Sequence, residues 1–501
     1  MKNKVIRTRF APSPTGFMHV GNLRTALYAF LIAKGSKNGK FILRIEDTDK
    51  NREVTGATDL ILKTLKKSKL HYDEGPDIGG DFGPYVQSKR LDRYIFFAKK
   101  LVEENKAYYC FCTEDQNFNA QQGDDSFKKY SDKCRKLSKQ EVREALASNA
   151  SYAIRQKMPL EGSTTFTDAV FGTITTPNNE LEDQILIKRD GYPTYNFANV
   201  IDDHQMMITH VIRGSEYLTS TPKYNLLYEA LGWQIPTYVH TGLIMGKNED
   251  GIISKLSKRH GATTFEDLEN LGYLPEVIVN YIALLGWYPN NGKEIFSLEE
   301  LIEAFSIENM NKSPSVFDYD KLNWLNCEYL KLKNDEDFIK ICAPYIKEVF
   351  GEKFNFFEDN DESILNENSK ILLLILRPRV VTLSQIPKML KFVKYLPEYE
   401  ISLFENKKSK SSAETSSKIL KIVADDFLKI SNWSLEEIKE SLINLAKKLE
   451  TKNGTVMWPV RISISGTMVT PGGAPEILSL LGKEESLRRI KLGLKKLETV
   501  K

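Results

Sequence analysis

Val5 to Phe10 alternates apolar and basic residues as a strand does, Ala11 to Gly16 is a loop of proline and glycine, and Leu23 to Ala33 sets apolar residues at helical spacing. A second strand, Phe41 to Ile45, follows and ends in the acidic cluster Glu46, Asp47 and Asp49, after which Ala57 to Leu70 reads as a second helix. Strands that alternate with helices predict a parallel sheet, and such a sheet takes its ligands beyond the carboxyl ends of its strands. The loop at Ala11 to Gly16 and the acidic cluster both fall at those ends.

At 501 residues the chain is too long for one core, so three or more domains are expected. Its 41% hydrophobic and 27% charged residues are ordinary for a globular protein, and it has no run of about 20 apolar residues that would span a bilayer. Met1 to Phe10 lacks the apolar stretch and cleavage site of a secretion signal, so a cytoplasmic protein without membrane partners is expected. Five cysteines, an odd number, argue against a disulfide framework and leave metal binding or simple burial. A net charge of +3 does not announce a nucleic-acid binder, so any RNA reading rests on motifs.

Residues 9–16 read RFAPSPTG, and His19, Val20, Gly21 and Asn22 then open the first helix. Gly21 permits close approach of a ligand to the backbone, and a helix N-terminus offers unpaired N–H groups to a polyphosphate. Far along the chain, Lys255, Leu256, Ser257, Lys258 and Arg259 place cations in a short segment suited to closing over a triphosphate. The two segments together make a nucleotide clamp. The first resembles the HIGH signature and the second the KMSKS signature of class I aminoacyl-tRNA synthetases, with Asn22 in place of His and Leu256 in place of Met. RIEDTD at 44–49, GPY at 83–85 with Gln87 and Ser88, and DGYPTY at 190–195 narrow the resemblance to the bacterial glutamyl branch.

That resemblance implies an α/β Rossmann-type class I catalytic domain with an α+β acceptor-binding insertion, followed by all-α anticodon-binding domains. The implied divisions are 1–93 with 199–248 for the catalytic halves, 94–198 for the insertion, 249–331 for a stem-contact region, and 332–402 and 403–501 for two helical subdomains. It further implies ligation of L-glutamate to tRNA(Glu) with ATP and Mg²⁺ through a glutamyl-adenylate, by a monomer. His19 and Lys258 would be catalytic. ATP would meet His19, Gly21, Asn22, Lys255, Ser257, Lys258 and Arg259, and glutamate would meet Arg9, Ser13, Glu46, Tyr195, Asn199 and Arg213. For Arg213, in VIRGSEY, the competing reading is a surface ion pair with Glu216. Asp202, Asp203 and His204 are read as structural or tRNA-end contacts and not as a metal triad.

Cys110, Cys112, Tyr130 and Cys134 are arranged like the zinc site found in some relatives, where the metal is structural; others dispense with it, and burial alone is the alternative. From Thr264 onward the texture is helical. Lys407 to Lys418 reads as an exposed connection, and Arg379 aligns with an arginine that helps some relatives favour the glutamate anticodon, the competing reading being a surface arginine at a helix end. Two rival functions stay open: an enzyme that also glutamylates tRNA(Gln), and an inactive tRNA-binding paralogue.

Overall fold

Strand β1 (Arg7–Phe10) pairs in parallel with β2 (Lys40–Leu43), from Arg7 opposite Lys40 to Phe10 opposite Leu43. The crossover between them is helix α1 (Val20–Lys34), which is apolar on nearly every side and buried from Leu23 through Ala33 except at half-buried Thr25. A helix so buried lies against protein on both faces. Arg24 ties it in, its Nη1 donating to the Leu285 carbonyl at 2.8 Å and its Nη2 to Thr241 Oγ1 at 3.2 Å. In the computed structural model, residues 5–49, 54–112, 132–248, 250–358 and 361–499 are described. They form two compact units, Met1–Glu269 with Leu274–Tyr319, and Asn270–Tyr273 with Asp320–Lys501.

In the first unit the parallel pairing continues beyond β2 through bridges from Ile42 to Glu74 and from Ile45 to Val86. On its other side β1 lies against β8 (His210–Gly214), with Thr209 N donating to the Arg7 carbonyl at 2.9 Å. β8 pairs in parallel with β9 (Thr237–Thr241), and β5 (Ser163–Asp168) joins β9 in parallel at Asp168 opposite Tyr238. β6 (Gly172–Pro177) is antiparallel to β5 and closes that edge. A smaller antiparallel sheet has the order β3 (Ala107–Cys110), β4 (Ala153–Gln156), β7 (Ile185–Ile187), and the hairpin of β10 (Ile244–Lys247) and β11 (Ile253–Lys255) follows β9. The second helix runs Ala57–Lys67, three residues short of the expected end. Lys69 adopts a left-handed φ of 57°, which stops the helix.

Among the described residues the second unit is helical apart from one short antiparallel strand pair, and its larger core gathers Phe404, Leu420, Phe427, Ile438, Val456, Val460, Ile477 and Ile490. Each such side chain, fully buried, contributes roughly 1.5–3 kcal/mol. Arg489 is also buried there. Its guanidinium donates to the carbonyls of Phe392, Ile464 and Val393 at 2.7, 2.8 and 2.9 Å and to Glu485 at 2.6 Å, stapling three segments together. The stretch Lys407 to Lys418 is only partly a connection: a helix begins at Ala413, because Ser412 and Thr415 form a capping box. Ser411 and Ser416, which the composition marks as exposed, are buried with their hydroxyls 3.0 Å apart. Among the described residues no helix is long and apolar enough to cross a membrane.

Candidate active site

His19 is the N-cap of α1, with φ −64° and ψ 147°, and its Nδ1 accepts from Gly21 N at 3.1 Å. Burial, then the nearby Lys255, holds its pKa below the ordinary histidine value. The ring is therefore neutral near pH 7, and with Nδ1 accepting, its proton sits on Nε2, a donor available to a phosphate oxygen. A Cβ added to Gly21 would meet only His19 Nδ1 at 3.5 Å, an ordinary contact. The protein itself does not demand glycine there.

The lysine segment meets this helix end directly. Val20 N donates to the Thr263 carbonyl at 2.9 Å and Phe265 N to the Met18 carbonyl at 3.2 Å, so the chain just past Arg259 is bonded to the chain on either side of His19. Lys255, Lys258 and Arg259 are exposed, Ser257 is half-buried, and Leu256 is buried at 6% exposure. Leu256 thus stands at a core position, where leucine and methionine are close to interchangeable. Sequence reasoning missed His260, which pins the segment: its Nδ1 takes Ser257 N at 3.1 Å, and its Nε2 lies 3.1 Å from Ser254 Oγ.

Behind the helix end lies a buried ionic network. Arg9 donates through Nε to Asp203 at 3.0 Å and through Nη2 to Asn199 Oδ1 at 3.2 Å. Arg44 donates to Glu46 Oε1 at 2.8 Å and to Asp203 at 2.7 Å, while Arg90 donates to Asp202 at 2.7 Å. Asn199 Nδ2 gives a further bond to Glu46 Oε1 at 3.0 Å. Every bond to Glu46 falls on Oε1; Oε2 is buried and has no partner. Burial pushes the Glu46 carboxyl up to about 7, against the pull of Arg44 and Arg9. Asp202 and Asp203 are thus structural, and His204 stacks on Trp233 at 3.7 Å between centroids.

Arg213 is 6% exposed, which rules out a surface pair, and no ion pair joins it to Glu216 among the described residues. Its guanidinium lies over the rings of Tyr224, Tyr238 and Tyr217 at 4.4, 5.1 and 5.4 Å. Nε donates to His240 Nε2 at 3.0 Å and Nη2 to Thr221 Oγ1 at 2.8 Å. Tyr195 is half-buried with its ring 5.9 Å from that of Tyr217; burial, then Glu46, pushes its hydroxyl pKa up, so it stays protonated. Ser13 lies half-buried in the loop after β1, its carbonyl accepting from Thr15 N at 2.9 Å. Asn22 is exposed in the first turn of α1.

The family profile described as tRNA synthetases class I (E and Q), catalytic domain, matches residues 5–324, and that of an anticodon binding domain matches 337–494. The chain belongs to the class I tRNA synthetases of the E and Q group. It is 52% identical over 496 residues to a glutamate–tRNA ligase of Clostridium kluyveri, covering 98% of each chain, and 51% identical to that of Clostridium novyi, covering 99% of each. A crystal structure of a glutamate tRNA ligase from Elizabethkingia meningosepticum, in complex with its amino acid, superposes with a TM-score of 0.85 at 34% identity, covering 99% of this chain and 100% of that one.

Beyond the nucleotide end, this class I synthetase brings together Cys110, Cys112 and Cys134, all buried, with their sulfur atoms within 4.8 Å of one another. Tetrahedral zinc with Zn–S near 2.3 Å sets its sulfurs about 3.8 Å apart; Cys112 and Cys134 Sγ lie 3.2 Å apart and all three lie within 4.8 Å, distances that bracket that spacing. No disulfide forms, and among the described residues no other metal-ligating group gathers. Tyr130 lies outside the described residues. Arg379, in the helical unit, is exposed and donates to the Ile375 carbonyl at 3.2 Å, with Arg461 near enough to feel its charge.

Because the backbone has room for a methyl at Gly21, Gly21→Ala should melt as the parent does, within about 0.5 kcal/mol. Its Michaelis constant for ATP in pyrophosphate exchange should nevertheless rise several-fold. An unchanged constant would mean that no ligand approaches this turn.

Proposed function

We propose that this class I synthetase is a glutamate–tRNA ligase. It joins glutamate to ATP as glutamyl-adenylate, releasing pyrophosphate, and passes the glutamyl group to the terminal adenosine of tRNA(Glu), releasing AMP. The observation that carries the reading is the charge pattern of the pocket. Glutamate brings two carboxylates and one ammonium. The pocket offers two guanidiniums, Arg9 and Arg213, and one carboxylate, Glu46, with a buried oxygen still unpartnered. Tyr224 ties the two ends together, since its ring lies beneath Arg213 and its hydroxyl also feels Glu46.

In the first step a glutamate α-carboxylate oxygen attacks the α-phosphorus of ATP, and the bond to the β-phosphate oxygen breaks. Negative charge builds on phosphoryl oxygens, so the task of the site is to supply donors already in place. His19 supplies its Nε2 proton, the first turn of α1 supplies N–H groups at Gly21 and Asn22, and Lys255, Ser257, Lys258 and Arg259 close over the triphosphate. Magnesium enters as part of the nucleotide substrate. Arg9 and Arg213 hold carboxylate, Glu46 Oε2 takes the ammonium, and Ser13, Tyr195 and Asn199 complete the hydrogen bonds. In the second step the 2′-hydroxyl attacks the activated carbonyl and AMP leaves. Arg379 lies on the unit that reads the anticodon. Cys110, Cys112 and Cys134 would hold zinc, with Tyr130 the fourth candidate from the sequence alone, and the metal would be structural, because these cysteines sit on the small sheet and the segments after it.

Glutamate-dependent exchange of pyrophosphate into ATP, followed by charging of purified tRNAs for glutamate and for glutamine, tests the reading. Charging of the first alone is expected. Charging of both would establish dual specificity, and failure with both, in folded protein, would leave a tRNA-binding relative.

The pH dependence of glutamate binding follows from Glu46. Its carboxyl is raised to about 7 before substrate arrives, so below that pH it is protonated and cannot meet an ammonium. The Michaelis constant for glutamate should climb as pH falls from 8 to 6, approaching about tenfold per unit, while Glu46→Gln should be weak and nearly pH-independent. A flat parent profile would remove Glu46 from the ammonium site.

For the metal, elemental analysis should find one zinc per chain, and Cys134→Ser should lose it together with several degrees of melting temperature. Metal-free protein with an unchanged melt would rule out a structural zinc.

A further inference from the structure

Arg213 is oriented by two residues that touch no substrate in the reading above. His240, on β9, is fully buried, and its Nδ1 lies 2.7 Å from Asp168 Oδ2. The same oxygen accepts from His240 N at 3.1 Å, while Asp168 Oδ1 accepts from Val170 N at 2.9 Å and Phe171 N at 2.8 Å. Asp168 is 1% exposed. Its carboxylate is thus fixed at both oxygens and can only accept.

This arrangement admits a single protonation pattern. Arg213 Nε always donates, so His240 Nε2 must carry a lone pair, and Nδ1 must carry the proton that faces Asp168. Burial lowers the His240 pKa, in keeping with a neutral ring; burial would raise that of Asp168, but the bonds from His240 and from the Phe171 and Val170 N–H groups outweigh it. An arginine has five N–H groups. His240 and Thr221 occupy the edge formed by Nε and Nη2, which leaves the terminal edge across Nη1 and Nη2 with no partner among the described residues. That terminal edge matches a carboxylate in a bidentate pair.

We propose that Asp168 and His240 are positioning residues for substrate glutamate: Asp168 fixes the tautomer of His240, and His240 holds Arg213 with its terminal edge turned to the carboxylate. The proposal rests on the assignment of Arg213 to the glutamate pocket. It also accounts for selection against glutamine, whose amide N–H₂ would confront a donor on an edge that cannot rotate away.

Asp168→Asn is the sharpest probe. With its oxygen kept by the Val170 and Phe171 N–H groups, its amide nitrogen would face His240 and drive the proton to Nε2, against Arg213. In pyrophosphate exchange by the full-length enzyme with its tRNA, Asp168→Asn and His240→Leu should each raise the Michaelis constant for glutamate about tenfold or more, with that for ATP unchanged within about twofold. His240→Gln keeps an acceptor near Nε2 and should recover most of the loss. Equal damage in His240→Gln and His240→Leu, or parallel losses for glutamate and ATP, would overturn the relay and leave these residues as packing. Arg213→Ala separates the two readings. If it leaves the glutamate constant unchanged, the carboxylate assignment falls and this proposal with it; if it raises that constant while Asp168→Asn does not, the relay alone falls.

Discussion

Three arginines and three carboxylates are buried together in the first unit, and the fold around the site is arranged to make that tolerable. Removing one ion from water costs several kcal/mol even after relaxation, so each of Arg9, Arg44, Arg90, Glu46, Asp202 and Asp203 must find partners in good geometry. With all six ionised the cluster is neutral. Neutrality argues that Glu46 gives up its proton readily once a cation arrives, although burial, outweighing the pull of Arg44 and Arg9, holds its pKa at about 7 in the empty protein. The cluster also fixes registers. Arg9 follows from β1, Arg44 and Glu46 from β2, Arg90 from the turn before the helix Leu91–Glu103, and Asp202 and Asp203 from the helix Tyr195–Gln205. A slip in any one of these would strand a charge.

The nucleotide end depends on a lighter device. Two backbone hydrogen bonds, from Val20 to Thr263 and from Phe265 to Met18, join segments more than 240 residues apart in the chain. They place the exposed cations of the lysine segment in front of the helix end while leaving those side chains unencumbered. Buried Leu256 and the His260 bonds hold the segment at its base. Anchorage and reach are thereby divided between different residues of one short stretch, which suits the closing role proposed for it.

How much of this was legible in the sequence depended on whether the signal was local. Strand, loop, helix and strand over Val5 to Ile45 were readable because periodicity and punctuation fall within a single window. His19, Gly21 and Lys255 to Arg259 were readable as motifs, and Arg9, Glu46 and Arg213 only through the family resemblance. Asp168 and His240 gave no signal. Asp168 lies in a stretch that the pattern assigns to an insertion, and its link to β9 is a pairing across about 70 residues. The serine-rich run at Lys407 to Lys418 misled for the opposite reason. Composition marks it as solvated, yet Ser411 and Ser416 satisfy one another in the interior, and Ser412 uses its hydroxyl to start a helix.

The buried polar atoms left without partners connect stability to chemistry. Glu46 Oε2, Gln87 Oε1 and the Tyr238 hydroxyl are all buried and unbonded. Each costs about 1–3 kcal/mol. Gln87 donates to Glu46 at 3.4 Å, and Tyr238 lies beneath Arg213, so the three atoms sit on or beside the residues proposed above to meet glutamate. Apolar replacements would stabilise the empty chain. On the function proposed above, the missing partners would arrive with the ligand: an ammonium for the carboxylate oxygen and donors or acceptors for its neighbours. The network around Glu46 has little freedom to satisfy Oε2 itself, because the guanidiniums of Arg9, Arg44 and Arg90 and the amide of Asn199 are already committed to other partners. On that proposal rigidity in the ionic cluster is the condition for affinity, since a softer cluster would turn Glu46 inward and leave nothing for a substrate to complete.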